Sequence, residues 1–127
     1  MTTQLVRYRR HFHRHPELSL EEHETAAFIE RELRSFGFDE IRTGIGKTGV
    51  LATLEGRRAG PVTLLRADMD ALPVQELNDV PYKSCNSGVM HACGHDGHMA
   101  ILLTAARVLR ERTEEVPGTV VFCFQRG

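Results

Sequence analysis

The chain carries no excess of charge of either sign: 16 Lys and Arg stand against 17 Asp and Glu, a net charge of −1. A balance this even argues against a nucleic-acid-binding or membrane-surface protein. No apolar run approaches the roughly 20 residues that a membrane helix needs. The start, Met1-Thr-Thr-Gln4, lacks the basic stretch and apolar core of a signal peptide. Cysteine is scarce and odd in number. Cys85, Cys93 and Cys123, irregularly spaced, fit a reducing compartment better than a disulfide framework, and the cytoplasm is the default location. No repeat, low-complexity tract or Ser/Gly linker divides the 127 residues, so one modest domain is expected. With 41% hydrophobic and 26% charged residues, disorder is not expected.

What the chain does have is histidine, seven in all and unevenly placed. His11, His13, His15 and His23 lie near the start, and His91, His95 and His98 fall within eight residues. None lies between Glu24 and Met90.

The pattern predicts a helix from Thr3 to His13, ended by His15-Pro16 because the residue before proline avoids the α region. Ser19-Leu-Glu-Glu22 reads as a capping box for a helix carrying Ala26, Ile29, Leu33 and Phe36 on one face, with Gly37 as its stop. Strands are expected at Gly49–Leu54 and Val62–Ala67, separated by a turn over Arg57–Pro61. Leu72–Met90 reads as loop, and Asp96–Arg112 as a helix with Met99, Leu102, Leu103, Ala106 and Leu109 inward. Thr119–Phe124 is a continuous apolar run, as in a strand buried on both faces. This order predicts an α/β fold with a mostly parallel sheet. Ligands in such sheets bind beyond the carboxyl ends of the strands, which directs attention to the residues after Ala67, near Asp96 and after Phe124.

Asp68 and Asp70 follow the second strand and, two residues apart, point the same way in an extended chain. They can face one site, or they can be ordinary turn residues. The segment His91-Ala-Cys93-Gly-His95-Asp96-Gly-His98 is the denser signal. It combines imidazoles, a thiol and a carboxylate, the donors that zinc and related metals take. Gly94 and Gly97 let such a turn bend tightly. The plain alternative is a small buried cysteine beside solvated histidines, with Asp96 as helix cap. A single cysteine suits an open, catalytic metal site better than a closed structural one. Gly44-Ile-Gly46-Lys-Thr-Gly49 matches a dinucleotide fingerprint only in letters: a strand follows it where a helix is required, so it reads as a turn. His11, His13 and His15, beside Arg9, Arg10 and Arg14, read as a solvated helix end rather than an anion patch. Glu21, Glu22 and Glu24 read as first-turn charges and Cys123 as core packing.

Three segments occur together: Arg9-Arg-His-Phe-His-Arg-His-Pro-Glu-Leu18, Arg66-Ala-Asp-Met-Asp-Ala-Leu-Pro73 and Gly88-Val-Met-His-Ala-Cys-Gly-His-Asp-Gly-His98. In this order they resemble the peptidase M20 family of metal-dependent amidohydrolases, in the branch of the aminoacylases, hippurate hydrolases and indole-acetyl-amino-acid hydrolases. The resemblance runs from Arg7 to Gln125. It implies a three-layer α/β/α catalytic domain of the zinc-peptidase type, present as its N-terminal portion over residues 1–127, without the dimerisation or lid domain. It further implies amide hydrolysis of N-acyl amino acids by two divalent ions, zinc or manganese, with cobalt or nickel as options. By the match, Cys93 and His95 are metal ligands. Asp70 is the carboxylate that orients a ligand, and Asp68 stands where other branches carry a ligand histidine. His98 and Asp96 are given positioning or capping roles. Where the family continues Gln-Pro-Ala-Glu-Glu, supplying a general base and a further ligand, this chain reads Gln125-Arg-Gly127. The implied consequences are little activity from these residues alone and an uncovered hydrophobic edge along Thr119–Phe124, with homo-oligomerisation as one outcome. The competing reading is a non-catalytic interaction module. No nucleic-acid or membrane partner is expected.

Overall fold

A computed structural model describes residues 2–127. The elements run α1 (Thr2–Arg14), α2 (His23–Ser35), β1 (Ile41–Ile45), β2 (Gly49–Glu55), β3 (Arg58–Asp68), α3 (His95–Glu111), a 3-10 turn (Thr113–Glu115) and β4 (Pro117–Gln125). The strands form one sheet in the order β1-β2-β4-β3.

The α/β class is as expected, but the sheet is mixed. Only β3 and β4 pair in parallel; β1–β2 and β2–β4 are antiparallel. The last strand enters between two that are consecutive in sequence, so Thr119–Phe124 has a hydrogen-bonded partner on each side and is not an edge. This corrects the expected exposed edge. Nor is the strand buried on both faces as expected: Val120, Phe122 and Phe124 are buried, whereas Val121 and Cys123 on the uncovered face are only partly so. Its neighbours are set by long-range pairing that a local pattern does not encode.

One face of the sheet carries Val50, Ala52, Leu54, Val120, Phe122 and Phe124, all buried. They share a core with Tyr8 and Phe12 of α1, Ile29 and Leu33 of α2, and Met99, Leu102, Leu103 and Ala106 of α3. Each large side chain removed from water here is worth about 1.5–3 kcal/mol. Among the described residues no helix covers the opposite face, where Val62 and Leu64 are 72% and 59% exposed. Two of the three layers of an α/β/α fold are therefore present in these residues.

Several local expectations change. α2 is not capped by Ser19. The Glu17 carboxylate accepts the N–H groups of Glu24 and Thr25 and the Thr25 hydroxyl, so the start of α2 is satisfied from outside the helix. Ser19 is thereby free to bond Asp70, and the buried Glu22 accepts from Thr48 Oγ1. At the other end, Gly37 (φ +100°) closes α2 as predicted: its N–H reaches Arg34 O, and that of Phe38 reaches Leu33 O. The expected turn at Arg57–Pro61 lies mostly within β3, which reaches back to Arg58 through an irregular register. β1 was not anticipated; it is a short hairpin arm exposed along four of its five residues. The glycine-rich Gly44–Gly49 segment is the β1–β2 turn. No helix is long and apolar enough to cross a membrane among the described residues.

Candidate metal centre

Three chain segments converge where the parallel-sheet rule directed attention. β3 ends at Asp68, and the next amide, Met69 N–H, donates to Gln125 O at the end of β4. The chain beyond is fixed on both sides: Ala71 N–H donates to Glu17 O, and Leu72 and Met90 exchange backbone hydrogen bonds. That second pairing delivers the chain to Gly94, whose left-handed backbone (φ +85°) starts α3 at His95. In the first turn of α3, residues 95 and 98 share a face and residue 96 points away from it.

His95 and His98 face the end of β3. His95 Nδ1 lies 3.0 Å from both Oδ1 and the backbone O of Asp70. A carbonyl oxygen only accepts, so Nδ1 carries the proton. His95 Nε2 is then the atom turned toward Asp68 Oδ2, 3.2 Å away. His98 Nδ1 is 2.7 Å from Asp68 Oδ1. Donor atoms of Asp68, His95 and His98 all lie within 4.8 Å of one another. Burial acts to raise the Asp68 carboxyl pKa, but the His98 hydrogen bond, its own backbone and the nearby histidines hold it below its ordinary value.

This arrangement suits a divalent cation. In a neutral His95 the Nε2 lone pair faces a carboxylate oxygen, a repulsive contact that a proton or a metal ion placed between them relieves. A carboxylate holding the far nitrogen of an imidazole is also the usual way a metal-binding histidine is oriented. Ser19 Oγ donates to Asp70 Oδ2 at 2.9 Å, so the orienting carboxylate is itself held on both oxygens.

Of the residues singled out from sequence, the structure brings Asp68, Asp70, His95 and His98 together. Cys93 is exposed on the turn before α3 and lies outside the three-residue group. Asp96 is buried; its Oδ1 accepts Gly97 N–H, and its Oδ2 meets Arg9 Nε at 2.9 Å and His13 Nδ1 at 2.8 Å. His13 Nε2 lies 2.9 Å from Glu76 Oε2. The expectation that His13 belongs to a solvated helix end is thus overturned: it is 2% exposed, facing carboxylates that come 63 and 83 residues later. The readable signal was the spacing of Arg9 and His13, four apart on one helix face; nothing in the loop around Glu76 announced its role. His91 is also buried, with neither ring nitrogen hydrogen-bonded to another described residue. Burial, the largest influence, pushes its pKa down to about 4.

The profile of peptidase family M20/M25/M40 matches residues 64–127, half of the chain. An N-acyl-L-amino acid amidohydrolase of Geobacillus stearothermophilus is 48% identical over 125 residues, covering 98% of this chain and 34% of that protein. An N-acetyl-L-cysteine deacetylase of Bacillus subtilis is 49% identical over 122 residues, 96% of this chain and 29% of that protein. A crystal structure from Bacillus subtilis, described as a dinuclear metal-binding peptidase of family M20, superposes with a TM-score of 0.93 at 46% identity, covering 98% of this chain and 35% of that one. The chain spans about a third of the length of the curated relatives it matches. On these grounds, together with the converging strand ends and the His95–Asp70 pair, the chain belongs to peptidase family M20/M25/M40.

Proposed function

We propose that these residues form part of the active site of a metal-dependent amidohydrolase that cleaves the amide bond of N-acyl amino acids. The observation that carries this reading is His95, whose Nδ1 is held by Asp70 while its Nε2 is turned toward Asp68. The names of the relatives support the substrate class. In this reading Cys93 and His95 are metal ligands, Asp70 orients His95, and Asp68 balances positive charge beside it. A pair of divalent ions, zinc or manganese with cobalt or nickel as options, supplies Lewis acidity at the amide carbonyl and acidifies water. The chain's own residues position that chemistry. Asp70 keeps a proton on His95 Nδ1, Ser19 keeps Asp70 in place, and Asp68 holds His98 beside the site.

The reading needs a general base to take the water proton and deliver it to the leaving amine. Glu17 is engaged at the start of α2, Glu22 holds Thr48 and Gly127 N–H, and Glu76 holds His13. We therefore assign the base to a glutamate outside the described residues, and propose that these residues alone turn over no substrate. Three free cysteines support a cytoplasmic location.

Titration of the chain with Zn²⁺, Mn²⁺ or Co²⁺ tests the metal reading. Binding is expected, abolished in His95→Ala and weakened about tenfold or more in Cys93→Ser. Absence of binding, or equal affinity in all three proteins, overturns it. The substrate reading is tested by joining these residues to the remaining two-thirds of the Geobacillus stearothermophilus relative. Hydrolysis of N-acetyl or N-benzoyl amino acids is expected, and its absence counts against the assignment. A second reading, self-association through the helix-free sheet face, is favoured by the exposure of Val62 and Leu64. Sedimentation of a monomer that stays monomeric at high concentration removes it.

A further inference from the structure

We propose that His13 is a positioning residue for the metal centre, acting through Asp96 on the turn that presents His95 and His98. The inference rests on the metal-centre reading above and concerns residues on the dry side of that turn. His13 stands between two carboxylates, with Nδ1 2.8 Å from Asp96 Oδ2 and Nε2 2.9 Å from Glu76 Oε2. The side chains of His13, Glu76 and Asp96 are each at most 3% exposed. With carboxylates on both nitrogens, the imidazolium donates twice. Together with Arg9 on Asp96 Oδ2, the group then holds two positive and two negative charges, a balance that burial demands. Glu76 is secured independently by Ser84 N–H at 2.7 Å and Asn78 Nδ2 at 3.0 Å, so it acts as a fixed post.

The consequence for the site lies in the geometry of one helical turn. Asp96 sits between His95 and the pair Gly97-His98, and its Oδ1 accepts Gly97 N–H at 2.9 Å. Gly94 provides no side-chain cap at this end of α3. Gly94 O accepts the N–H groups of Gly97 and His98, so Asp96 is the side chain that ties this turn to α1, where His13 and Arg9 hold it. Release of Asp96 frees the turn whose other face aims His95 Nε2 and His98 Nδ1 at Asp68.

The test compares the wild-type chain with His13→Ala, and uses two readouts. In the metal-free protein, amide exchange at Gly97 and His98 is expected to quicken about tenfold, while Leu103 and Ala106 in the middle of α3 stay protected. With Co²⁺ as probe, affinity is expected to fall about tenfold or more and the visible absorption spectrum of the complex to change. A folded His13→Ala protein with unchanged exchange at Gly97 and His98 and an unchanged Co²⁺ spectrum overturns the proposal. If the wild-type chain takes up no Co²⁺, the metal-centre reading fails on its own, and exchange at Gly97 and His98 decides the positioning role. If His13→Ala does not fold, Glu76→Gln keeps the shape and weakens the hold on His13. The same changes, smaller in size, then support the proposal, and their absence overturns it.

Discussion

Two histidines in this protein each stand between two carboxylates, and they differ in almost everything else. His13, between Glu76 and Asp96, is sealed: all three side chains are at most 3% exposed. His95, between Asp70 and Asp68, is ajar, with side chains 15–20% exposed. The sealed set is completed by Arg9 and by backbone and amide donors on Glu76, as a buried charge requires. The open set leaves a histidine nitrogen and a carboxylate oxygen facing each other. The same residue types therefore give a strut in one place and a ligand cradle in the other. Water access and the number of unmet donors and acceptors make the difference. Residues 95 and 96 belong one to each set, so a single turn of α3 joins them.

The comparison can be broken most severely on the sealed side. His13→Ala leaves two buried carboxylates facing each other across a cavity. It is expected to cost about 3 kcal/mol or more of stability, read from urea midpoints at pH 7. Glu76→Gln is expected to cost less, about 2 kcal/mol, because hydrogen bonding survives while the charge does not. Its pH dependence sharpens the point. Burial pushes the Glu76 carboxyl up, yet bonds from His13, Ser84 and Asn78 prevail and hold it at about 2, against an ordinary 4.5. A value lowered by folding means that ionised Glu76 stabilises fully above about pH 5 and ceases to do so as pH falls through about 2. The deficit of Glu76→Gln should therefore be constant near neutrality and vanish by about pH 2. A deficit that grows on acidification contradicts the assignment.

On the open side the effects move from stability to metal affinity. Asp70→Asn is expected to weaken Co²⁺ binding about tenfold to a hundredfold, measured by calorimetry, with little change in melting temperature. The smallest effect is expected for His98→Ala. Its side chain is 56% exposed, so stability should stay within about 0.5 kcal/mol of wild type by thermal melting.

This contrast also separates what could be read in the chain from what could not. α3 was legible because its apolar period records burial directly; the apolar run of β4 showed a strand but overstated its burial, since only Val120, Phe122 and Phe124 are buried. The candidate site was legible in part: His95 and His98 come from the dense segment and Asp68 and Asp70 from a strand end, whereas Cys93 lies outside the group and Asp96 turns to His13. His13 was not, since its partners lie 63 and 83 residues away. The cap of α2 was misplaced because Glu17 took the amides that Ser19 was expected to serve. β1 carries too little buried surface to leave a pattern. The central place of β4 depends on pairing between distant segments, on which local propensity is silent.

That central place has a consequence in time. β2 and β3 are made one after the other, yet neither completes its hydrogen bonds until Pro117–Gln125 arrives to lie between them. Their connection has to stay open while some fifty residues of loop and helix are synthesised. Gly56 and Gly118 pass so close to the crossing backbone that a side chain on either would block the entry. During synthesis the half-built sheet therefore presents the open edge of β2 and an unpaired β3 around a vacant slot, the state most exposed to capture by another chain. A nascent chain paused before residue 117 is the one in which a chaperone has most to protect.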